Sequence, residues 1–231
     1  MLLLALCAGP STARAQLPDP PSAPSDEDVA RARELFVQGV EQAERHAWDE
    51  ALDWFVRSYA ASGSPVALFN VASTLRELGR YRDARDAFDR LLGDPALDDE
   101  TRMSAARLRT EVAARVARVT IERVPAGPAR VRSDDDVRDT TERPIELELD
   151  PGPREIGVEL PAHAPWRWSG SLAPGAMLVL DASLAPVGGD DPLPWILGAA
   201  GAVLAGVVLA IVVADLEAQL DPRTRLVIAL P

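Results

Sequence analysis

Apolar side chains recur along this chain in three rhythms, and each rhythm predicts a different element. From Asp26 to Arg118 they return every three or four residues, the spacing that gathers them on one face of a helix. Ser25, followed three residues later by Asp28, predicts an N-cap with early acids. Leu108, Val112 and Val116 form one stripe of a last helix over about Asp99 to Ala117. From Val119 the period falls to two. Val119 and Ile121, Ala129 and Val131, then Ile145, Leu147 and Leu149 against Glu146 and Glu148 read as half-buried strands. Ile156, Val158 and Leu160, then Trp166, Trp168, Leu172, Leu178 and Leu180, extend the series to about six strands. Pro125-Ala126-Gly127-Pro128, Ser133 to Asp136 and Asp150-Pro151-Gly152-Pro153 supply the turns, so a small antiparallel β-sandwich is expected. The third rhythm is unbroken: Trp195 to Val213 holds no charge in 19 residues, close to the roughly 20 needed to cross a bilayer as a helix.

The fold class expected is therefore α+β, with N-terminal helical hairpins, a small antiparallel β-sandwich and a single transmembrane helix. Met1 to Ala8 is almost wholly apolar, and Ala13-Arg14-Ala15 matches an A-x-A cleavage site, which makes residues 1–15 a signal peptide. The proline-rich residues 16–25 read as a linker, 26–118 as the helical domain and 119–187 as the β domain. A second linker, 188–194, leads to a membrane helix over 195–214 and a tail over 215–231. Pro192 and Pro194 isolate the apolar run, and Trp195 sits at its end as an interfacial aromatic would. Arg223 and Arg225 place the positive charge in the tail, so the tail is expected on the cytoplasmic side and the domains outside. Gly198, Ala202, Gly206 and Ala210 recur every four residues, a stripe that lets two helices approach and admits a homodimer.

The helical region repeats itself. His46 to Phe55 aligns with Gly79 to Phe88: Trp48 on Tyr81, Ala51 on Ala84 and Phe55 on Phe88, each offset by 33 residues. An aromatic, an Ala three later and a Phe four after that, at a period near 34, resembles the tetratricopeptide repeat. In the second copy Leu68, Val71, Ala72, Leu75, Gly79, Tyr81, Ala84, Phe88 and Leu91 fall on that family's packing positions. The first copy has Gln38 and Gln42 where apolar residues are usual, although Gly39 fits. The resemblance implies stacked helix pairs whose first helices line a concave groove that takes a peptide or protein partner. It points to Asn70, Ser73, Arg76 and Glu77 on the second pair, and to Arg102 and Arg109 on the capping helix, as polar contacts. Solvated ion pairs on a helix face are the plainer reading of the same charges.

The two Pro-Gly turns resemble the PEGA domain, a surface-exposed β module, over about 45 residues. Exported tetratricopeptide repeats, a PEGA-like module and a membrane helix together resemble bacterial envelope proteins, which implies a periplasmic location for the N-terminal domains of a single-pass membrane protein. On the β domain, Trp166 and Trp168 are candidates for stacking on cell-wall glycan.

Composition removes many chemistries. The net charge is -12 and the acids are spread along the chain with no basic cluster, so nucleic acid is not expected as a partner. All 24 basic residues are arginine, which excludes P-loops, Schiff bases and every lysine-dependent mechanism. Cys7 is the single cysteine and lies in the expected leader, leaving no disulfide or thiol chemistry. Asp134-Asp135-Asp136 lacks the alternate spacing, glycine and distal acid of a calcium loop. His46 and His163 stand in loops without a nucleophile motif beside them. Neither metal nor cofactor is expected, and the function expected is a non-enzymatic envelope adaptor. The alternatives are a glycan-binding module and, third, a hydrolase built on a pair of carboxylates.

Overall fold

The computed structural model describes residues 17–187 except Ser22 and Asp135. The expected leader, the second linker, the apolar run from Trp195 and the tail lie outside the described residues. No helix among the described residues is long and apolar enough to cross a membrane.

The chain is α+β: five helices followed by seven strands in two sheets. Helices α1 (Asp26–Glu44), α2 (Trp48–Ser62), α3 (Pro65–Glu77), α4 (Tyr81–Leu92) and α5 (Asp99–Ala113) each pack on the next. Their ends follow from local chemistry. The Ser25 hydroxyl accepts the Asp28 N–H while the Asp28 carboxylate accepts the Ser25 N–H, so each satisfies an amide the first turn leaves unpaired. Donation from the Ser25 hydroxyl, at 2.7 Å, and then from the Ser25 N–H holds the Asp28 carboxyl below its ordinary range. Gly63 takes a left-handed conformation (φ 66°) to end α2, and Pro65 at the first turn of α3 has no N–H to lose there. Asp98 caps α5 by accepting the Thr101 N–H at 2.9 Å.

The sequence repeat is also a packing repeat. The Phe36 and Phe55 rings sit 5.3 Å apart, and Phe69 and Phe88, each 33 residues on, sit 5.9 Å apart. Phe55, Phe88, Leu75, Leu91, Val71 and Val112 are fully buried in one cluster that runs from α2 to α5. Gly39 lets α1 lie close against α2: a Cβ there would lie 2.6 Å from the Phe55 ring. The buried Ser58 hydroxyl donates to Ala32 O at 2.8 Å and ties the same pair together. The expected linker is not free along its length. Leu17 packs on the helical core, Arg90 pairs with Asp19 at 2.6 Å, and Pro20 lies against Gly63.

The change of rhythm comes two residues earlier than expected. Strand β1 runs Ala117–Glu122, and Val116 is buried just beyond the end of α5. β2 (Ala129–Ser133), β3 (Asp136–Thr140), β4 (Ile145–Leu149), β5 (Gly152–Glu159), β6 (Trp166–Leu172) and β7 (Met177–Asp181) follow. One sheet has the order β4-β1-β7 and the other β3-β2-β5-β6. Ladders are antiparallel except β1 with β7, which run parallel, Val119 opposite Leu178 and Ile121 opposite Leu180. The expected strands at Val119, Ala129, Ile145, Ile156, Trp166 and Leu178 are all present; the extra one, β3, has no buried residue to announce it. Val119, Ile121, Ile145 and Leu180 from one sheet and Val131, Ile156 and Val158 from the other form a single core.

A small set of contacts joins the helices to the sheets. Helix α4 begins at Tyr81 with no cap from its own side chains. Asp150, in the turn between β4 and β5, supplies it instead: its Oδ1 accepts the Arg82 N–H at 2.9 Å across 68 residues of sequence. Arg154 holds that turn, donating to Asp150 O at 2.9 Å and Pro151 O at 3.2 Å, while its other arm meets Asp134 Oδ2 at 2.9 Å. Arg85 on α4 reaches Glu148 on β4 at 2.7 Å. On the other side of the junction Gly175 donates to Arg115 O at 2.9 Å, and the Arg115 guanidinium lies over the Tyr81 ring.

Burial pushes the Asp150 carboxyl above its ordinary value, against the lowering effect of the Arg82 N–H and the Arg82 and Arg154 charges; Asp83 adds to the upward push. The contribution of this ionisation to stability is therefore fully present below the unfolded-state value and is lost as pH rises through the folded one. Asp150→Asn keeps an acceptor for Arg82 and removes that loss, so its stability advantage over wild type should grow as pH rises through the carboxylate range. Asp150→Ala removes the cap and should cost about 1 kcal/mol in urea unfolding. At the other end of the helices, Gly39→Ala gains about 1 kcal/mol of helix propensity but collides with Phe55. A net loss of about 1–3 kcal/mol is expected from overpacking, read as a lower urea midpoint.

Candidate functional site

Helix α3 shows how a site-bearing face arises. Ala67, Leu68, Val71, Ala72, Thr74 and Leu75 are buried against its neighbours. That leaves Val66, Asn70, Ser73 and Glu77 as the opposite stripe, spaced four, three and four residues apart. Four of the six residues expected in the groove thus lie on or beside this face. Asn70 Nδ2 donates to Val66 O at 2.8 Å within its own helix, and Arg76 pairs with its neighbour Glu77 at 2.6 Å. Both remain at least partly exposed.

Arg102 and Arg109 are used differently. Arg102 donates to Leu92 O at 3.0 Å, Asp94 O at 2.8 Å and Leu97 O at 3.3 Å, closing the carbonyls at the end of α4 and in the loop after it. Arg109 forms two bonds to Asp89 on α4, at 2.9 and 3.2 Å, which raise its already high pKa. These two side chains fasten α5 to α4.

Sequence reasoning passed over the exposed apolar side chains of the helices. Among the described residues of the helices, the exposed large apolar side chains are Val37, Val66 and Met103, at 53%, 59% and 69% exposure. They sit on α1, α3 and α5, the first helix of each pair and the capping helix. Arg107 is exposed one turn beyond Met103. The available signal was an apolar residue lying off the core-facing stripe, which periodicity alone treats as noise.

On the β domain, Trp166 and Trp168 occupy the positions of β6 that alternate inward with Leu172, and both are half-buried against the core. The Trp168 ring lies along the strand over Gly170, where a Cβ would come within 2.4 Å of it. Asp134 is taken up by Arg154 and by the Glu155 N–H at 3.0 Å. His46 has a left-handed backbone (φ 58°) and stacks edge-on to Trp48; His163 Nδ1 lies 2.8 Å from Pro161 O. Among the described residues no three His, Cys, Asp or Glu side chains converge as a metal site requires. A cavity of about 50 Å³ lies between α4 and both sheets, lined by Arg82, Ser133, Asp136, Arg138 and Glu148. It is far below the roughly 300 Å³ at which small-molecule pockets begin. A more open cleft of about 360 Å³ is lined by Asp134, Pro153, Arg154, Glu155, Ser169 and Gly170. The stripe Gly198, Ala202, Gly206 and Ala210 lies outside the described residues.

The sequence matches no protein-family model, and no curated protein matches it.

The two arginines predict contrasting outcomes. Arg102→Ala leaves three carbonyls without their charged donor and should cost about 1.5–3 kcal/mol in denaturant unfolding. Arg109→Ala breaks an exposed pair and should cost about 0–1 kcal/mol, falling further in high salt.

Proposed function

We propose that this protein is a non-enzymatic adaptor of the bacterial envelope, whose helical domain binds a peptide or protein segment on the face formed by α1, α3 and α5. The observation that carries this reading is the placement of Val37, Val66 and Met103. Every large apolar side chain exposed on the described helices lies on this one set of helices. Exposed apolar groups rimmed by polar ones are what a partner segment buries on binding. The repeat of Phe36–Phe55 and Phe69–Phe88 at the same offset supports a tetratricopeptide-like stack, in which the first helices share a face. Ser73, Asn70 and Arg76 then offer hydrogen bonds to a bound backbone or carboxylate, while Arg102 and Arg109 maintain the curvature beneath. The PEGA-like β domain serves as a spacer, and the run Trp195 to Val213 as the anchor that leaves both domains in the periplasm.

A displayed peptide library selected on the full chain in mild detergent yields the probe for the test. The dissociation constant of a selected peptide should rise about tenfold in the Asn70→Ala, Arg76→Ala double variant, the effect of losing one or two polar contacts. An unchanged constant sinks the assignment of this face. Retention of the chain on purified peptidoglycan, abolished by Trp168→Ala and untouched by the double variant, would move the function to the β domain.

A further inference from the structure

The two sheets end in four edge strands, and three of them are guarded. Charged residues interrupt β3 at Asp136, Arg138 and Asp139, β4 at Glu146 and Glu148, and β6 at Arg167. Such charges keep unpaired backbone from recruiting another strand. Strand β7 carries a charge only at its last residue, Asp181; Gly175-Ala176-Met177-Leu178-Val179-Leu180 before it holds no charge and no proline. Met177 and Val179 are 79% and 62% exposed on the outer face of their sheet, while Leu180 is buried in the core and Leu178 packs against it.

The orientation of the free edge can be derived. Arg118 N donates to Ala176 O at 2.8 Å and Ala182 N to Glu122 O at 3.0 Å, bracketing the parallel ladder to β1. Alternation along the strand then turns the backbone groups of the even-numbered residues toward β1. The N–H and C=O of Met177, Val179 and Asp181 face away from it, and among the described strands β7 pairs only with β1.

We infer that this edge is an interface for a second copy of the same chain, the two β7 strands pairing antiparallel about a two-fold axis at Leu178. The occupant is chosen by self-complementarity. In this register the outward-facing groups of Met177 meet those of Val179 on the other copy, and the reverse, so four exposed apolar side chains cover one another. Asp181 falls opposite Gly175, so no like charges are opposed, and it keeps its own Arg123 at 2.9 Å. A register centred on Val179 would instead set Met177 against Asp181. The result is one six-stranded sheet in the order β4-β1-β7-β7-β1-β4.

The test uses the full chain in mild detergent, with self-association measured by analytical ultracentrifugation. Val179→Lys places a charge on the outer face without touching the β1 ladder, and should weaken the dimer at least tenfold with an unchanged circular dichroism spectrum. In a Cys7→Ser background, a mixture of Met177→Cys and Val179→Cys chains should form a disulfide-linked dimer under mild oxidation, since opposed hydrogen-bonded pairs sit about 5.5 Å apart. Each variant alone should not. A monomeric wild type, a dimer unaffected by Val179→Lys, or a single cysteine variant that links as well as the mixture would each overturn the proposal.

Discussion

A single carboxylate sets the relation between the two halves of this protein. Asp150 occupies the open amino end of α4, where the first turn has N–H groups and no side-chain cap of its own. Helix termini must be satisfied by something, and a terminus capped from another domain fixes that domain's position to within hydrogen-bond tolerance. The cap is itself held: Arg154 grips the backbone of the same turn and reaches Asp134 in the neighbouring hairpin. One continuous set of bonds therefore runs from the β2–β3 turn through the β4–β5 turn into the helix. Burying the carboxylate costs solvation, which is why its pKa lies above the ordinary value even with two arginines near it.

The helical half relies on close approach in place of size. Each pair is joined by a phenylalanine that needs room, and α1 makes that room with Gly39. Arg102 then satisfies carbonyls that tight packing would otherwise strand, and the Ala32 carbonyl gives the buried Ser58 hydroxyl its acceptor. The surface left over is mixed, with a few apolar groups among short polar side chains. Such a surface is suited to contact with an extended partner more than to enclosing a small molecule.

Elements were legible in the sequence wherever burial imposes a period. The stripe of Leu108 and Val112 marked α5, and Glu146 and Glu148 between Ile145, Leu147 and Leu149 marked β4. Strand β3 escaped because its side chains are nearly all exposed, so nothing selects for alternation there. The cap by Asp150 escaped for another reason. Asp-Pro-Gly-Pro reads as a turn on local grounds, and nothing local records a partner 68 residues away. Of the candidate face, the sequence marked the polar members on α3 through their resemblance to a repeat. Val66 and Met103 were hidden because an apolar residue carries the same letter inside or out. Arg102 looked like a ligand contact because charge on a helix says nothing of the carbonyls folded beneath it.

The parallel pairing of the first and last strands gives the β domain a mechanical character. β1 enters at Ala117 from the helices, and β7 leaves from the far end of the same ladder at Asp181. Tension between the helical domain and the chain beyond Val187 would first release the two bonds that join Ala185 and Val187 to the β5–β6 loop. It would then pull β1 and β7 along their own lengths in opposite directions. The ladder is loaded in shear, with its bonds sharing the force, and cannot be opened one bond at a time from an end. Joined in this way, the domain resists extension along the direction of that ladder.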